Sequence, residues 1–68
     1  MPAYYVNKNC QSSGEHEVHR EGCSMMPDFN NRIYLGYFSN AINAVREARK
    51  IFNNVDGCYY CSKEAHKK

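Results

Sequence analysis

Long apolar runs are missing from this sequence, and so is tryptophan. A membrane-spanning helix needs about 20 consecutive apolar residues, and because the chain has no such run we expect no membrane span. The opening residues MPAYYVNKN also lack the apolar centre of a secretory signal. These absences lead us to expect a cytoplasmic protein, in a compartment where stable disulfides are rare.

An excess of charge of one sign is also missing, since nine Lys and Arg residues face seven Asp and Glu residues for a net charge of +2. Nucleic-acid-binding proteins usually carry a clustered basic surface, so the overall balance does not indicate such a partner. One local cluster, Arg46, Arg49 and Lys50, leaves nucleic acid as an alternative partner. We favour an ordinary solvated helix face there, and we expect a monomer whose partner is unknown.

The chain is too short for a large apolar core. Its 68 residues make one domain, residues 1–68, with a core of about 4–63 and a basic tail at 64–68. A domain of this size is marginally stable unless a metal, a disulfide or a partner supports it. The four cysteines and three histidines are therefore the features that most need an explanation.

The pattern of apolar and turn residues predicts an α+β fold with a three-stranded antiparallel sheet. Residues 3–8 are aromatic and β-branched, residues 15–19 alternate polar with apolar, and residues 33–38 are the most apolar segment. The turn residues at 11–14 predict a hairpin between the first two strands, and residues 20–32 read as a loop.

One main helix is predicted to follow from residue 40 to residue 52, with Ser39 as its N-cap. Asn53, Asn54, Asp56 and Gly57 are expected to stop it. Apolar residues recur at helical spacing along one stripe, widened by two isoleucines: Ala41, Val45, Ala48 and Phe52, with Ile42 and Ile51 beside them.

Two short pairs of metal-binding residue types bracket the third strand and the helix. Cys58 and Cys61 form C-x2-C, and His19 and Cys23 form H-x3-C. We expect Gly57 to ease the tight turn of C-x2-C. Three thiolates and one imidazole are a set that Zn²⁺ binds tetrahedrally. The sequence thus predicts one structural zinc ion that ties the end of the chain to its first hairpin, with a contribution on the order of 10 kcal/mol to folding.

The identity of the fourth ligand is less constrained than the metal. Cys10, His16 and His66 are the rivals of His19. We interpret Cys10 as a free surface thiol and His66 as an exposed residue of the tail. Strand alternation turns His16 inward if Val18 faces the core, which counts against His19, yet His19 adjoins the loop that carries Cys23 and remains our prediction.

Other chemistries for these cysteines fit the sequence less well. A redox C-x2-C opens a helix in a βαβ context, whereas Cys58 and Cys61 come after the predicted helix. A disulfide framework would require export. Iron or another thiophilic metal is the remaining alternative.

The order of these motifs resembles that of the Ada metal-binding domain superfamily over residues 4–63. The matching pieces are His19-Arg20-Glu21-Gly22-Cys23, Asn31-Arg32-Ile33-Tyr34-Leu35, Phe38-Ser39, Ala44-Val45 and Gly57-Cys58-Tyr59-Tyr60-Cys61. The resemblance implies a small α+β domain with one zinc ion held by the two ligand pairs.

The resemblance also bears on activity. In the founding Ada domain the first ligand is a cysteine that accepts a methyl group from a DNA phosphotriester, and the matching position here is His19. An imidazole whose lone pair is committed to the metal cannot act as that nucleophile. We therefore expect a non-enzymatic zinc domain of unknown molecular role, with a nucleic-acid-binding zinc module as the alternative and a zinc-thiolate alkyl acceptor as the remote one.

Overall fold

The computed structural model describes residues 1–67 and shows an α+β domain with four strands and one α-helix. Lys68, the last residue of the predicted basic tail, lies outside the described residues. No helix within residues 1–67 is both long enough and apolar enough to cross a membrane. The elements in chain order are β1 (Ala3–Asn7), β2 (His16–Arg20), β3 (Arg32–Tyr37), α1 (Ala41–Ala48) and β4 (Val55–Gly57), with short 3-10 turns at Phe29–Asn31 and Lys63–Ala65.

The strands form one mixed sheet in the order β3-β1-β2-β4. β1 pairs antiparallel with both β2 and β3, which confirms the α+β class and the predicted hairpin. The expectation of three antiparallel strands is wrong, because Val55–Gly57 adds a fourth strand parallel to β2. These residues looked like a helix stop because Asp and Gly have low strand propensity, and their pairing with β2 is a tertiary contact that no local pattern encodes.

The helix begins one residue later than predicted and ends sooner. Asn40, not Ser39, is the N-cap, and its side-chain oxygen accepts a hydrogen bond from the backbone N–H of Asn43 at 3.0 Å. Regular α-helix ends at Ala48, and the chain continues to Ile51 as hydrogen-bonded turns. The predicted extension to Phe52 is therefore wrong.

The core lies between α1 and one face of the sheet. It joins one stripe of the helix to alternate residues of the central strands, and its buried members are Tyr4, Val6, Val18, Ala41, Ala44, Val45, Ala48, Val55 and Ala65. Phe52 packs against this cluster, but Ile42 and Ile51 are 45% and 48% exposed and do not widen the stripe as predicted. Only a narrow stripe of α1 reaches the sheet, and the helix does not cover the opposite face.

Candidate metal centre

His19 lies on the face of β2 that points away from α1. Successive side chains of a strand point to opposite faces, and Val18 belongs to the core beneath α1. His19 is nevertheless only 1% exposed, because the segments that carry the three cysteines close over it. The sequence argument that favoured His16 assumed a single buried face, whereas both faces of β2 are covered here.

The fourth strand delivers Cys58 to this imidazole. The parallel pairing of β2 and β4 aligns Val18 with Gly57, so His19 and Cys58 follow as neighbours on adjacent strands. The backbone N–H of Cys58 donates to the carbonyl of Val18 at 2.9 Å. Cys58 is 1% exposed, and the next turn returns Cys61 to the same site.

The turn after Cys58 needs a glycine for space. A Cβ atom at Gly57 would lie 2.6 Å from the carbonyl oxygen of Ser62 and 2.9 Å from the Cβ of Ala65. The φ of Gly57 is not positive, whereas that of Gly22, between His19 and Cys23, is +83°. Gly57 therefore permits a close approach of the chain rather than easing a turn as the sequence suggested, and the left-handed conformation belongs to Gly22.

The four side chains point their ligand atoms at one another. The imidazole Nδ1 and the three sulfurs all lie within 4.8 Å of one another. Cys23 Sγ is 3.7 Å from His19 Nδ1 and 3.9 Å from Cys58 Sγ, and Cys61 Sγ is 3.9 Å from His19 Nδ1. With metal–sulfur bonds of about 2.3 Å, tetrahedral geometry places two sulfurs about 3.8 Å apart. The arrangement is thus the size that a tetrahedral metal ion requires.

Backbone N–H groups point at the sulfurs from the flanking turns. The N–H of Arg20 donates to Cys61 Sγ at 3.2 Å, and the N–H of Met25 donates to Cys23 Sγ at 3.4 Å. Hydrogen bonds to the charged form of a group favour that form. The loops therefore stabilise thiolates at the positions where a metal would hold them.

Burial disfavours charge on the same groups when no metal is bound. It lowers the pKa of His19 to about 4, so this imidazole is neutral at pH 7 and presents a lone pair. Burial also raises the pKa of the Cys58 and Cys61 thiols, although backbone N–H groups act in the opposite direction. A metal ion must therefore displace thiol protons but no proton from His19.

Glu17 was not identified from the sequence as part of this site. Its carboxylate Oε1 lies 3.7 Å from Nε2 of His19, the ring nitrogen that faces away from the sulfurs. This separation is too long for a direct hydrogen bond, so Glu17 borders the imidazole on the side away from the sulfurs. The signal was present in the sequence, since residues two apart on a strand share a face.

The three rivals for the fourth ligand position lie elsewhere. Cys10 is an exposed free thiol, as predicted. His16 stacks on Phe52 at a ring-centroid distance of 3.7 Å, and its Nδ1 lies 2.9 Å from the carbonyl of Asn7. His66 is not exposed as predicted, because its Nδ1 lies 2.9 Å from the carbonyl of Gly57 and 3.1 Å from a carboxylate oxygen of Asp56.

The basic residues of the helix do not adjoin the cluster. Arg46, Arg49 and Lys50 are exposed on or just after α1. Lys50 pairs with Glu47 at 3.1 Å, one helical turn away. Their role in binding nucleic acid stays a prediction.

Comparison with known proteins gives no relative for this chain. No protein-family model, curated protein or solved structure matches it. The likeness to the Ada metal-binding domains therefore depends on the residues and element order described above.

Proposed function

We propose that this chain is a non-enzymatic zinc-binding domain whose single Zn²⁺ is held by His19, Cys23, Cys58 and Cys61 and stabilises the fold. The observation that carries the proposal is the convergence of the four ligand atoms within 4.8 Å on the helix-free side of the sheet. The two ligand pairs lie far apart in the sequence, and the fold must bring both of them together to produce this convergence.

The donor set favours zinc over other common metals. Three soft thiolates and one imidazole in tetrahedral array are typical of structural Zn²⁺ sites. Magnesium and calcium prefer six or more oxygen ligands, which this set of sulfur and nitrogen atoms does not offer. The carboxylate beside the set is that of Glu17. Its 3.7 Å contact is with the imidazole, which supports an outer role for it.

A structural role fits the number and burial of the ligands. Four protein ligands fill a tetrahedral site, whereas catalytic zinc keeps a position for water or substrate. The residue in the position of the Ada methyl acceptor is an imidazole that is 1% exposed, so it offers neither a nucleophile nor access. We infer that the chain is an Ada-like zinc module without the methyl-transfer chemistry.

Native mass spectrometry of the purified protein, before and after treatment with a chelator, tests the proposal. We expect one bound zinc ion that the chelator removes. Loss of a residue that only contacts a ligand typically lowers metal affinity about 10–100-fold. His19→Ala should lower the zinc affinity by more than that, because it removes a direct ligand. Cobalt(II) in place of zinc should give the visible absorption bands of a tetrahedral thiolate site.

The chain offers matched controls for both residue types. His16→Ala removes a histidine from the same strand, and Cys10→Ala removes a cysteine, yet neither is in the cluster. Both should keep one zinc ion. Loss of zinc in Cys10→Ala with retention in His19→Ala would assign the fourth ligand position to Cys10. A protein that is purified without any bound metal, yet folds cooperatively with all its thiols reduced, would refute the proposal.

A further inference from the structure

The helix-free face of the sheet carries a row of exposed aromatic rings beside the metal centre. Tyr5 is paired with His19 on β2 and with Tyr34 on β3, and directly paired residues share a face. Tyr34 is 53% exposed, Tyr37 is 61% exposed and Phe29, just before β3, is 79% exposed. We call these three exposed rings, together with the half-buried Tyr5, the aromatic face: Tyr5, Phe29, Tyr34 and Tyr37.

The rings form a connected surface rather than isolated contacts. The centroids of Tyr5 and Tyr34 are 5.5 Å apart, and those of Tyr34 and Tyr37 are 6.1 Å apart in an edge-on arrangement. These rings are not needed to fill the core, which lies on the other side of the sheet. So much exposed aromatic area on a small domain indicates an interaction surface.

Two cations border one end of the aromatic face. The guanidinium of Arg32 lies 4.8 Å from the centroid of Tyr5 and 5.7 Å from that of Phe29. Lys8 lines the same shallow pocket of about 280 Å³, together with Tyr5, Phe29 and Tyr34. Among residues 1–67, no carboxylate lies within ion-pair distance of Lys8 or Arg32. The half-buried Arg32 donates from Nη1 to the uncharged carbonyl of Pro27 at 3.3 Å, so the positive charge at this end of the face is not neutralised.

The two cations lie at one end of the aromatic face. Lys8 and Arg32 line the pocket with Tyr5 and Phe29, whereas Tyr37 does not line it. An anionic ligand should therefore place its charges toward Lys8 and Arg32 and its uncharged rings toward Tyr34 and Tyr37. That division between charged and stacking groups is the one a nucleotide chain presents.

We infer that the aromatic face binds single-stranded nucleic acid, with bases stacked on Tyr34 and Tyr37 and phosphates held by Lys8 and Arg32. A duplex buries its base faces, whereas a single strand can splay them onto aromatic side chains. Base stacking on aromatic rings beside basic residues is the general mode of sequence-tolerant single-strand binding. The surface is separate from the helix patch of Arg46, Arg49 and Lys50 and does not depend on which metal occupies the centre.

Fluorescence anisotropy with labelled oligothymidine and oligouridine of about 12 nucleotides, a length within the range that single-strand modules cover, tests the inference on the folded protein as isolated. We expect binding at low salt that weakens steeply as salt rises. Tyr34→Ala and Tyr37→Ala should each weaken it about tenfold, since one stacked base is lost. Tyr34→Phe keeps the ring and should bind like the unaltered protein.

The cations give an independent readout. Lys8→Ala should weaken binding to every oligonucleotide and reduce the slope of log affinity against log salt by about one. Arg46→Ala with Arg49→Ala is the matched control on the helix and should change little. Circular dichroism of each variant confirms that the sheet is intact.

Several results would overturn the inference. These are the absence of any oligonucleotide binding at low salt, equal affinity for a duplex of the same sequence, and loss of binding in the helix double variant but not in Tyr34→Ala. Capture of a proline-rich peptide by the same tyrosines, with no oligonucleotide bound, would reassign the face to a protein partner. A protein that holds zinc yet fails these tests would retain the proposed structural role.

Discussion

At the scale of single residues, burial keeps His19 in the neutral form that a metal ligand needs. The imidazole is 1% exposed, and burial lowers its pKa to about 4. Because the unfolded chain would take up this proton near the ordinary pKa of about 6.5, the folded state loses stability relative to the unfolded state as pH falls from about 6.5 toward 4. Near neutral pH the residue is already in the form that a metal needs.

The same burial predicts how many protons a metal releases. The raised pKa values of Cys58 and Cys61 keep both thiols protonated at pH 7 in the metal-free site. Zinc binding at pH 7 should therefore release at least two protons, none of them from His19. Calorimetric titration in buffers of different ionisation enthalpy measures this number.

The proton count also separates the two ligand types. If fewer than two protons were released, the thiols would already be ionised and the burial argument would be wrong. A chain with His19→Ala should still release thiol protons on any residual binding, whereas Cys58→Ala should release fewer.

At the scale of the elements, α1 depends on caps from two parts of the chain. The side chain of Asn40 accepts from the N–H of Asn43 at 3.0 Å, and a carboxylate oxygen of Glu64 accepts from the N–H of Ala41 at 2.9 Å. Glu64 belongs to the 3-10 turn after the C-x2-C pair. A negative charge at a helix N-terminus is stabilising, so the segment that carries two of the cysteines also supports the start of the helix.

The N-cap residue Asn40 gives a prediction that tests where α1 begins. Asn40→Ala should lower the free energy of unfolding by about 1 kcal/mol, because an N–H of the first turn loses its acceptor. Ser39→Ala is the matched control, since Ser39 is exposed and is not the cap, and it should change stability by no more than about 0.5 kcal/mol. Denaturant titration followed by circular dichroism measures both, and equal losses would contradict the assignment.

The sequence predicted the elements that have their own local pattern. β2 follows from the alternation of polar and apolar residues, β1 from its aromatic and β-branched content, β3 from its apolar content, and the buried stripe of α1 from helical spacing. The fourth strand did not follow, because Val55-Asp56-Gly57 is held by pairing with β2 rather than by propensity. Ile42 and Ile51 were predicted to belong to the core because they are apolar. Hydropathy alone does not show that only a narrow stripe of the helix contacts the sheet.

The candidate site was more predictable than the sheet around it. The short spacings of H-x3-C and C-x2-C identify each pair locally, and the structure brings all four side chains together. The choice of His19 over His16 was not decidable from alternation, because it required knowing that β2 is covered on both faces. Glu17 could have been found from alternation once His19 was chosen, because residues two apart on a strand share a face.

At the scale of the whole molecule, the apolar core is small for a domain that folds without a metal, a disulfide or a partner. Its buried residues include four alanines, Ala41, Ala44, Ala48 and Ala65, which bury little apolar area each. Because the core is small and the candidate site joins distant segments of the chain, we expect metal binding and folding to depend on one another.

Removal of zinc should therefore lower the melting temperature strongly. With free zinc at about 1,000 times its dissociation constant, binding adds about 4 kcal/mol to stability. For a domain of this size that corresponds to a rise of at least about 15 °C over the chelated protein. Differential scanning calorimetry with and without chelator measures it, and a shift of only a few degrees would mean that the core suffices by itself.

The two-faced strand β2 has a consequence for folding fidelity. Val18 and His19 are adjacent in sequence, and one faces the core while the other faces the cysteines. A slip of this strand by a single residue would exchange them, which would bury an imidazole among alanines and leave a valine where an ion needs a donor. If an ion binds as proposed, it therefore favours the correct register of the hairpin, because only that register places Val18 in the core and His19 at the metal centre.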